Sequence, residues 1–118
     1  MAAEPLKLPM PRLPAPPRHL SASSRRLWAS VVAGYDLEPR HIAVLTVAME
    51  ARDRMLEAQA AIRVDGAYIA GLHGPRSHPG IAVERDSRTA MLRAIRELGL
   101  DLEVAAAPRT PSRWHTSR

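Results

Sequence analysis

One stretch of sequence sets the architecture of the chain, and it reads PRHIAVLTVAMEARDRMLEAQAAIRV over residues 39–64. After Pro39 it contains neither glycine nor proline. Pro39 suits the first position of a helix, where its missing N–H would be unpaired anyway. Asp65-Gly66 follows as a stop signal. The stretch therefore predicts one helix of about 39 Å.

Apolar residues on this helix form a band wider than one partner helix covers. One seam contains Ile42, Leu45, Met49 and Leu56, and the neighbouring seam is rich in alanine. A single 13.0 kDa chain can hardly cover such a helix on both sides, so we predict contacts between copies of the chain. The candidate oligomerisation residues are Val44, Ala48, Ala51, Met55, Ala58 and Ile62.

Shorter helices are predicted on either side of the long one. Apolar spacing and the following Gly34 indicate a helix over 22–33, and the same signals with Gly99 indicate another over 79–98. The glycine-rich connection between the long helices is predicted as loop, apart from a short strand over 67–69. The predicted fold class is all-α, with a short N-terminal helix followed by a long antiparallel helical hairpin.

The net charge of +5 lies at the two ends of the chain. Residues 1–20 carry +2, residues 104–118 carry +3, and the residues between them are balanced. Prolines are frequent at both ends, which opposes helix formation. We therefore predict a proline-rich basic flexible arm over 1–19, a folded domain over 20–103 and a basic flexible tail over 104–118.

Basic ends on a neutral domain are typical of proteins that bind a polyanion, usually nucleic acid. Two further arginines stand on the first predicted helix, beside the N-terminal arm. The candidate DNA contacts are Arg12, Arg18, Arg25, Arg26, Arg109, Arg113 and Arg118. For Arg25 and Arg26, an exposed pair without a ligand remains an equal alternative. The first two helices and their tight turn are also compatible with a helix-turn-helix unit.

Composition excludes several classes of protein. With 118 residues the chain is too short for a dehydrogenase, kinase or hydrolase fold of ordinary size. The absence of cysteine excludes a disulfide framework, a cysteine zinc site and a cysteine nucleophile. No apolar run approaches the length of a membrane span or a signal peptide, so a soluble intracellular protein without membrane partners is expected.

The histidine and serine motifs of the sequence give only weak indications of catalysis. His73 and His78 could contribute to a metal site, but a third ligand is not evident, and capping of the next helix by His78 is the favoured alternative. Ser77, His78 and Asp86 fit no nucleophile elbow, and no phosphate-binding loop is present. We predict no catalytic residue, no metal and no cofactor.

The ordered set of elements resembles the short, helical-hairpin type of phage terminase small subunit, found in tailed phages and prophages. The resemblance covers about residues 18–103. It rests on Trp28, the helix end at Asp65-Gly66, His78-Pro79, and the Leu98-Gly99-Leu100 sequence at these separations. The sequence after Leu100 departs from the family, because Asp101-Leu102-Glu103-Val104 precedes Pro108-Arg109.

The resemblance implies a non-enzymatic DNA-packaging factor in the cytoplasm of an infected bacterial host. Such proteins assemble into homo-oligomeric rings, bind double-stranded phage DNA and recruit or regulate a large ATPase–nuclease subunit. Two alternatives stay open: a small, dimeric helix-turn-helix regulator or antitoxin, and a metal-dependent hydrolase that uses His73 and His78.

Overall fold

A computed structural model describes residues 12–99 of the chain. It contains three helices and a two-stranded sheet, in the order α1 (Ala22–Gly34), α2 (Pro39–Asp65), β1 (Tyr68–Gly71), β2 (Gly74–Ser77) and α3 (Pro79–Leu98). The three helices lie within one residue of the bounds expected from the sequence.

Residues at the helix ends explain these bounds. The side chain of Ser21 caps α1 by accepting from the backbone N–H of Ser24. Glu38 and His41 form a reciprocal capping box at the start of α2, whose first residue is Pro39. Gly99 ends α3 in the left-handed conformation, with φ of 72°.

The core lies where α1, α2 and α3 meet. Trp28 of α1 is 1% exposed, and its indole N–H donates to Thr46 of α2 over 3.1 Å. Further buried members come from all three helices and from the turn before α1: Leu20, Val32, Leu45, Ala48, Met49 and Ala94. Because Trp28 has both its ring buried and its N–H satisfied, it fixes α1 on α2.

α3 packs along α2 through small residues and one polar contact. Ala94 enters the core, and Gly80 lies so close to α2 that an added Cβ would meet Ile62 at 3.4 Å. One turn further along α3, the side-chain amide of Gln59 donates to Glu84 over 3.0 Å. Glu84 also pairs with Arg88 on its own helix. These contacts cover the alanine-rich seam of α2 within a single chain.

The predicted all-α class with a long antiparallel helical hairpin is wrong, because a two-stranded antiparallel sheet separates α2 from α3. β1 pairs with β2 from Tyr68 opposite Ser77 to Gly71 opposite Gly74. A Cβ on Gly71 would lie 2.7 Å from the Gly74 carbonyl oxygen, and Gly74 has φ of 114°. The glycines that indicated a loop therefore allow a tight β-turn instead.

The predicted domain limits fall partly outside the described residues. Residues 12–17 have no regular structure, and Leu20 is the first residue to enter the core. Residues 1–11 and 100–118, with Arg109, Arg113 and Arg118, lie outside the described part. Within residues 12–99, no helix combines the length and apolar character that crossing a membrane requires.

Candidate nucleic-acid interface

The basic segment before α1 is attached to the helices at its C-terminal end. Leu20 is 2% exposed, and the imidazole of His19 lies 2.7 Å from the carboxylate of Glu50 on α2. Arg12 and Arg18, in contrast, are exposed. The segment therefore holds Arg18 at the protein surface beside the start of α1, and Arg12 stands six residues earlier in the irregular part.

Arg25 both stabilises the turn before α1 and adds a positive charge there. Its guanidinium donates to the backbone carbonyl of Arg18 over 3.2 Å and to that of Leu20 over 3.0 Å. These bonds fix the backbone on which Arg18 stands. The guanidinium stays charged while it makes them, so Arg25 contributes a positive potential but has fewer N–H groups left for a phosphate.

Arg26 is exposed on the outer surface of α1. None of the ion pairs found within residues 12–99 involves Arg12, Arg18, Arg25 or Arg26. We call these four the N-terminal arginine cluster. Exposed guanidinium groups without a carboxylate partner can form bidentate hydrogen bonds with phosphate oxygens.

Beneath this cluster, Asp53 of α2 holds the start of α1. One of its carboxylate oxygens accepts from the hydroxyl of Ser21 over 2.6 Å and from the hydroxyl of Ser24 over 2.5 Å. The other oxygen accepts from the backbone N–H of Ser21 over 2.8 Å. Arg52 donates to the hydroxyls of Ser23 and Ser24 over 2.8 Å and 2.9 Å. We call this set the Asp53 network.

The network sets the ionisation of Asp53. Burial raises the pKa of this carboxyl, but the hydrogen bonds from Ser21 and Ser24 and the positive charge of Arg52 outweigh burial and lower the pKa below its ordinary value. Asp53 is therefore a carboxylate at neutral pH. It occupies the N-terminus of α1, the place where a helix would otherwise attract a phosphate. The N-terminus of α1 is therefore occupied by a carboxylate of the same chain.

The predicted oligomerisation residues have two different environments. Ala48, Ala51 and Ala58 are buried within the chain, with Ala48 and Ala51 at 0% exposure. These alanines serve the packing of α2 inside one chain and present no surface to a second copy. The other three members of the seam are half-buried: Val44, Met55 and Ile62.

His78 acts as the N-cap of α3. Its Nδ1 accepts from the backbone N–H of Gly80 over 2.8 Å, and its Nε2 lies 2.8 Å from the carboxylate of Asp65. Since Nδ1 is an acceptor, the proton lies on Nε2 and is donated to Asp65. Both ring nitrogens are thus used to join α2 to α3, whereas His73 is exposed in the turn between β1 and β2. Within residues 12–99, no three histidine, aspartate or glutamate side chains are grouped as a metal site would require.

The sequence did not reveal the Asp53 network. Glu50, Asp53 and Glu57 recur along α2 with arginines between them, a pattern that is typical of an ion-paired or solvated helix face. The serines at 21, 23 and 24 were the available signal. Three hydroxyls around one helix start are enough to cap it and also to bind a carboxylate.

No protein-family model matches the chain, and neither the curated proteins nor the solved structures include one that is similar to it.

Proposed function

We propose that the protein is a non-catalytic viral DNA-packaging factor of the terminase small-subunit class. It self-assembles, binds double-stranded phage DNA, and recruits or regulates the large ATPase–nuclease subunit in the cytoplasm of the infected bacterium. The observation that carries the proposal is the N-terminal arginine cluster, in which Arg25 fixes the backbone of Arg18 while Arg18 and Arg26 remain exposed.

Electrostatics support DNA as the ligand. Each phosphate that an arginine neutralises releases counterions, so even a few arginines give salt-dependent affinity without base recognition. A single cluster of this size binds weakly. Several copies in one assembly would engage neighbouring phosphates together and raise the overall affinity strongly. This is why the proposal joins DNA binding to self-assembly.

The ordered elements that resemble terminase small subunits support the specific class. Trp28 is the residue that fixes α1 on α2, and His78 is the cap that starts α3. Two residues that carried the resemblance thus have defined roles in folding. The large-subunit partner and the ring remain part of the proposal and rest on the resemblance.

A matched pair of double variants tests the DNA contact. Arg18→Gln/Arg26→Gln removes two charges from the cluster, and Arg63→Gln/Arg93→Gln removes two exposed charges elsewhere. Binding to a labelled DNA duplex is measured by fluorescence anisotropy. The first variant should bind at least about tenfold more weakly than the second. Equal weakening in both variants would contradict a localised contact and leave only a general effect of net charge.

Native mass spectrometry of the full chain tests assembly. A closed ring of several copies is expected, whereas a strict dimer would favour the helix-turn-helix regulator. Packaging itself is tested with the product of a neighbouring gene that encodes both a Walker motif and an acidic nuclease site. That product should bind the protein and change its ATPase rate on DNA. Failure to bind would contradict the terminase assignment.

A further inference from the structure

The two-stranded sheet has two outer edges, one along β1 and one along β2, and a proline blocks strand pairing on the β2 edge only. In an antiparallel pair, residues opposite each other alternate between hydrogen-bonded and non-hydrogen-bonded pairs. The backbone N–H of His78 donates to the carbonyl of Ala67 over 2.8 Å, which makes this pair a hydrogen-bonded one. By alternation, the Tyr68–Ser77 and Ala70–Pro75 pairs are non-hydrogen-bonded, so their backbone groups point outward.

The β2 edge is blunted by its proline. Pro75 has no N–H, so the outer side of β2 offers one donor only, on Ser77. The outer side of β1 offers the full set, which is the N–H and C=O of Tyr68 and the N–H and C=O of Ala70. Among residues 12–99, no donor or acceptor is bonded to these four groups. An edge of this kind is a template for another strand.

The side chains around the open edge are apolar and highly exposed. Tyr68 is 73% exposed and Leu72, in the turn, is 93% exposed. β1 itself carries no charge. Large apolar side chains next to unpaired backbone groups are typical of a surface that a partner covers.

We propose that β1 pairs with β1 of a second copy of the chain, so that the two β-hairpins form one four-stranded antiparallel sheet. Because a two-fold contact closes at two copies, it joins the copies of a ring in pairs, and a second contact must join the pairs. This interface rests on the self-assembly in the proposed function but is independent of DNA. It differs from the predicted contact along α2.

The sequence of β1 is self-complementary in this arrangement. With the two-fold axis at Ile69, Tyr68 of one copy lies opposite Ala70 of the second copy, and the reverse pair follows by symmetry. Each pair exchanges two backbone hydrogen bonds, so all eight outward groups of the two strands are satisfied. A second copy therefore satisfies every outward backbone group of β1 without an unrelated strand.

Ala70→Pro tests the interface directly in the full-length protein. It removes an outward N–H that no described residue uses, and proline already stands opposite, at position 75. The matched control is Ser77→Pro, which removes an outward N–H from the blunted edge. By sedimentation, Ala70→Pro should raise the dissociation constant of the paired copies about tenfold or more, while Ser77→Pro should leave it unchanged. Equal values for Ala70→Pro and the wild type would overturn the proposal.

Hydrogen exchange of the wild-type protein gives a second test that needs no variant. Protection of the Tyr68 and Ala70 amides should rise with protein concentration, while the Ser77 amide should stay unprotected. Protection that is independent of concentration would contradict pairing between copies. Protection that appears only after DNA is added would show that the edge contacts nucleic acid, which also overturns the proposal.

The two proposals can fail separately. Loss of self-association in Ala70→Pro with no DNA binding by the wild type would uphold the β1 interface and contradict the packaging function. Salt-dependent DNA binding by a ring whose assembly is unchanged in Ala70→Pro would contradict the β1 interface and leave the packaging function standing.

Discussion

The start of α1 and the β-hairpin are held in different ways. The start of α1 is joined to α2 by a buried tryptophan and by the Asp53 network, across sequence separations of 18 to 32 residues. The β-hairpin is held mainly by its own backbone ladder, and both of its strands are largely exposed. The first region is organised to present side chains in fixed positions, and the second to present a backbone edge.

Trp28→Ala should cause the largest loss of stability. The ring is buried between α1 and α2 and its N–H is bonded to Thr46, so removing it leaves a cavity and takes away the bond that joins the two helices. We expect a decrease of about 3–5 kcal/mol in the free energy of unfolding, measured with a chemical denaturant. Tyr68→Ala is the control, because that ring is 73% exposed and should cost under about 1 kcal/mol. Comparable losses would mean that the hairpin contributes to the core.

Asp53→Asn should cause the second-largest loss of stability, with a decrease of about 1.5–3 kcal/mol in the free energy of unfolding. The amide keeps the shape of the side chain but loses the charge that three donors from Ser21 and Ser24 share. Glu57→Gln is the matched control on the same helix, since Glu57 is exposed. If both variants lose the same stability, the Asp53 network does not fasten α1.

The same carboxyl predicts a dependence on pH. The folded protein lowers the pKa of Asp53, so the unfolded chain binds this proton more readily. The stabilisation is complete above the ordinary aspartate pKa of about 3.9 and is lost as the pH falls through the lowered value. The difference in unfolding free energy between wild type and Asp53→Asn should therefore shrink from about pH 6 to about pH 3. If the difference in unfolding free energy does not change with pH, the stabilisation comes from the shape of the Asp53 side chain and not from its charge.

His78→Ala should have a smaller effect, at the base of the hairpin. It removes the cap of α3 and the bond to Asp65, with an expected loss of about 1–2 kcal/mol. His73→Ala is the control in the exposed turn and should change stability by less than about 0.5 kcal/mol. Thermal unfolding of the two variants measures the difference. Equal melting temperatures for the two variants would show that the His78 cap does not stabilise α3.

The sequence predicted the helices well because their ends carry local signals. α2 begins at Pro39 and ends before Gly66, and α3 ends before Gly99. The backbone conformation of each of these three residues sets the limit. The second strand escaped detection because Pro75 normally opposes strand formation, and only the register shows that its nitrogen faces outward.

The candidate site was only partly accessible to sequence reasoning. Basic residues near α1 were visible as a cluster, since charge is read directly from the chain. The difference between Arg25, which bonds backbone carbonyls, and Arg26, which is exposed, depends on the path of residues 18–20. The bond from Ser21 to Asp53 spans 32 residues and has no local signature.

The salt dependence of DNA binding shows whether the N-terminal arginine cluster contacts phosphates. Binding of a DNA duplex is measured between about 50 and 200 mM salt for the wild type and for the two arginine double variants. If the N-terminal arginine cluster contacts phosphates, the slope of log affinity against log salt should fall in magnitude by about 2 for Arg18→Gln/Arg26→Gln. It should stay unchanged for Arg63→Gln/Arg93→Gln. Identical slopes for all three proteins would contradict the account.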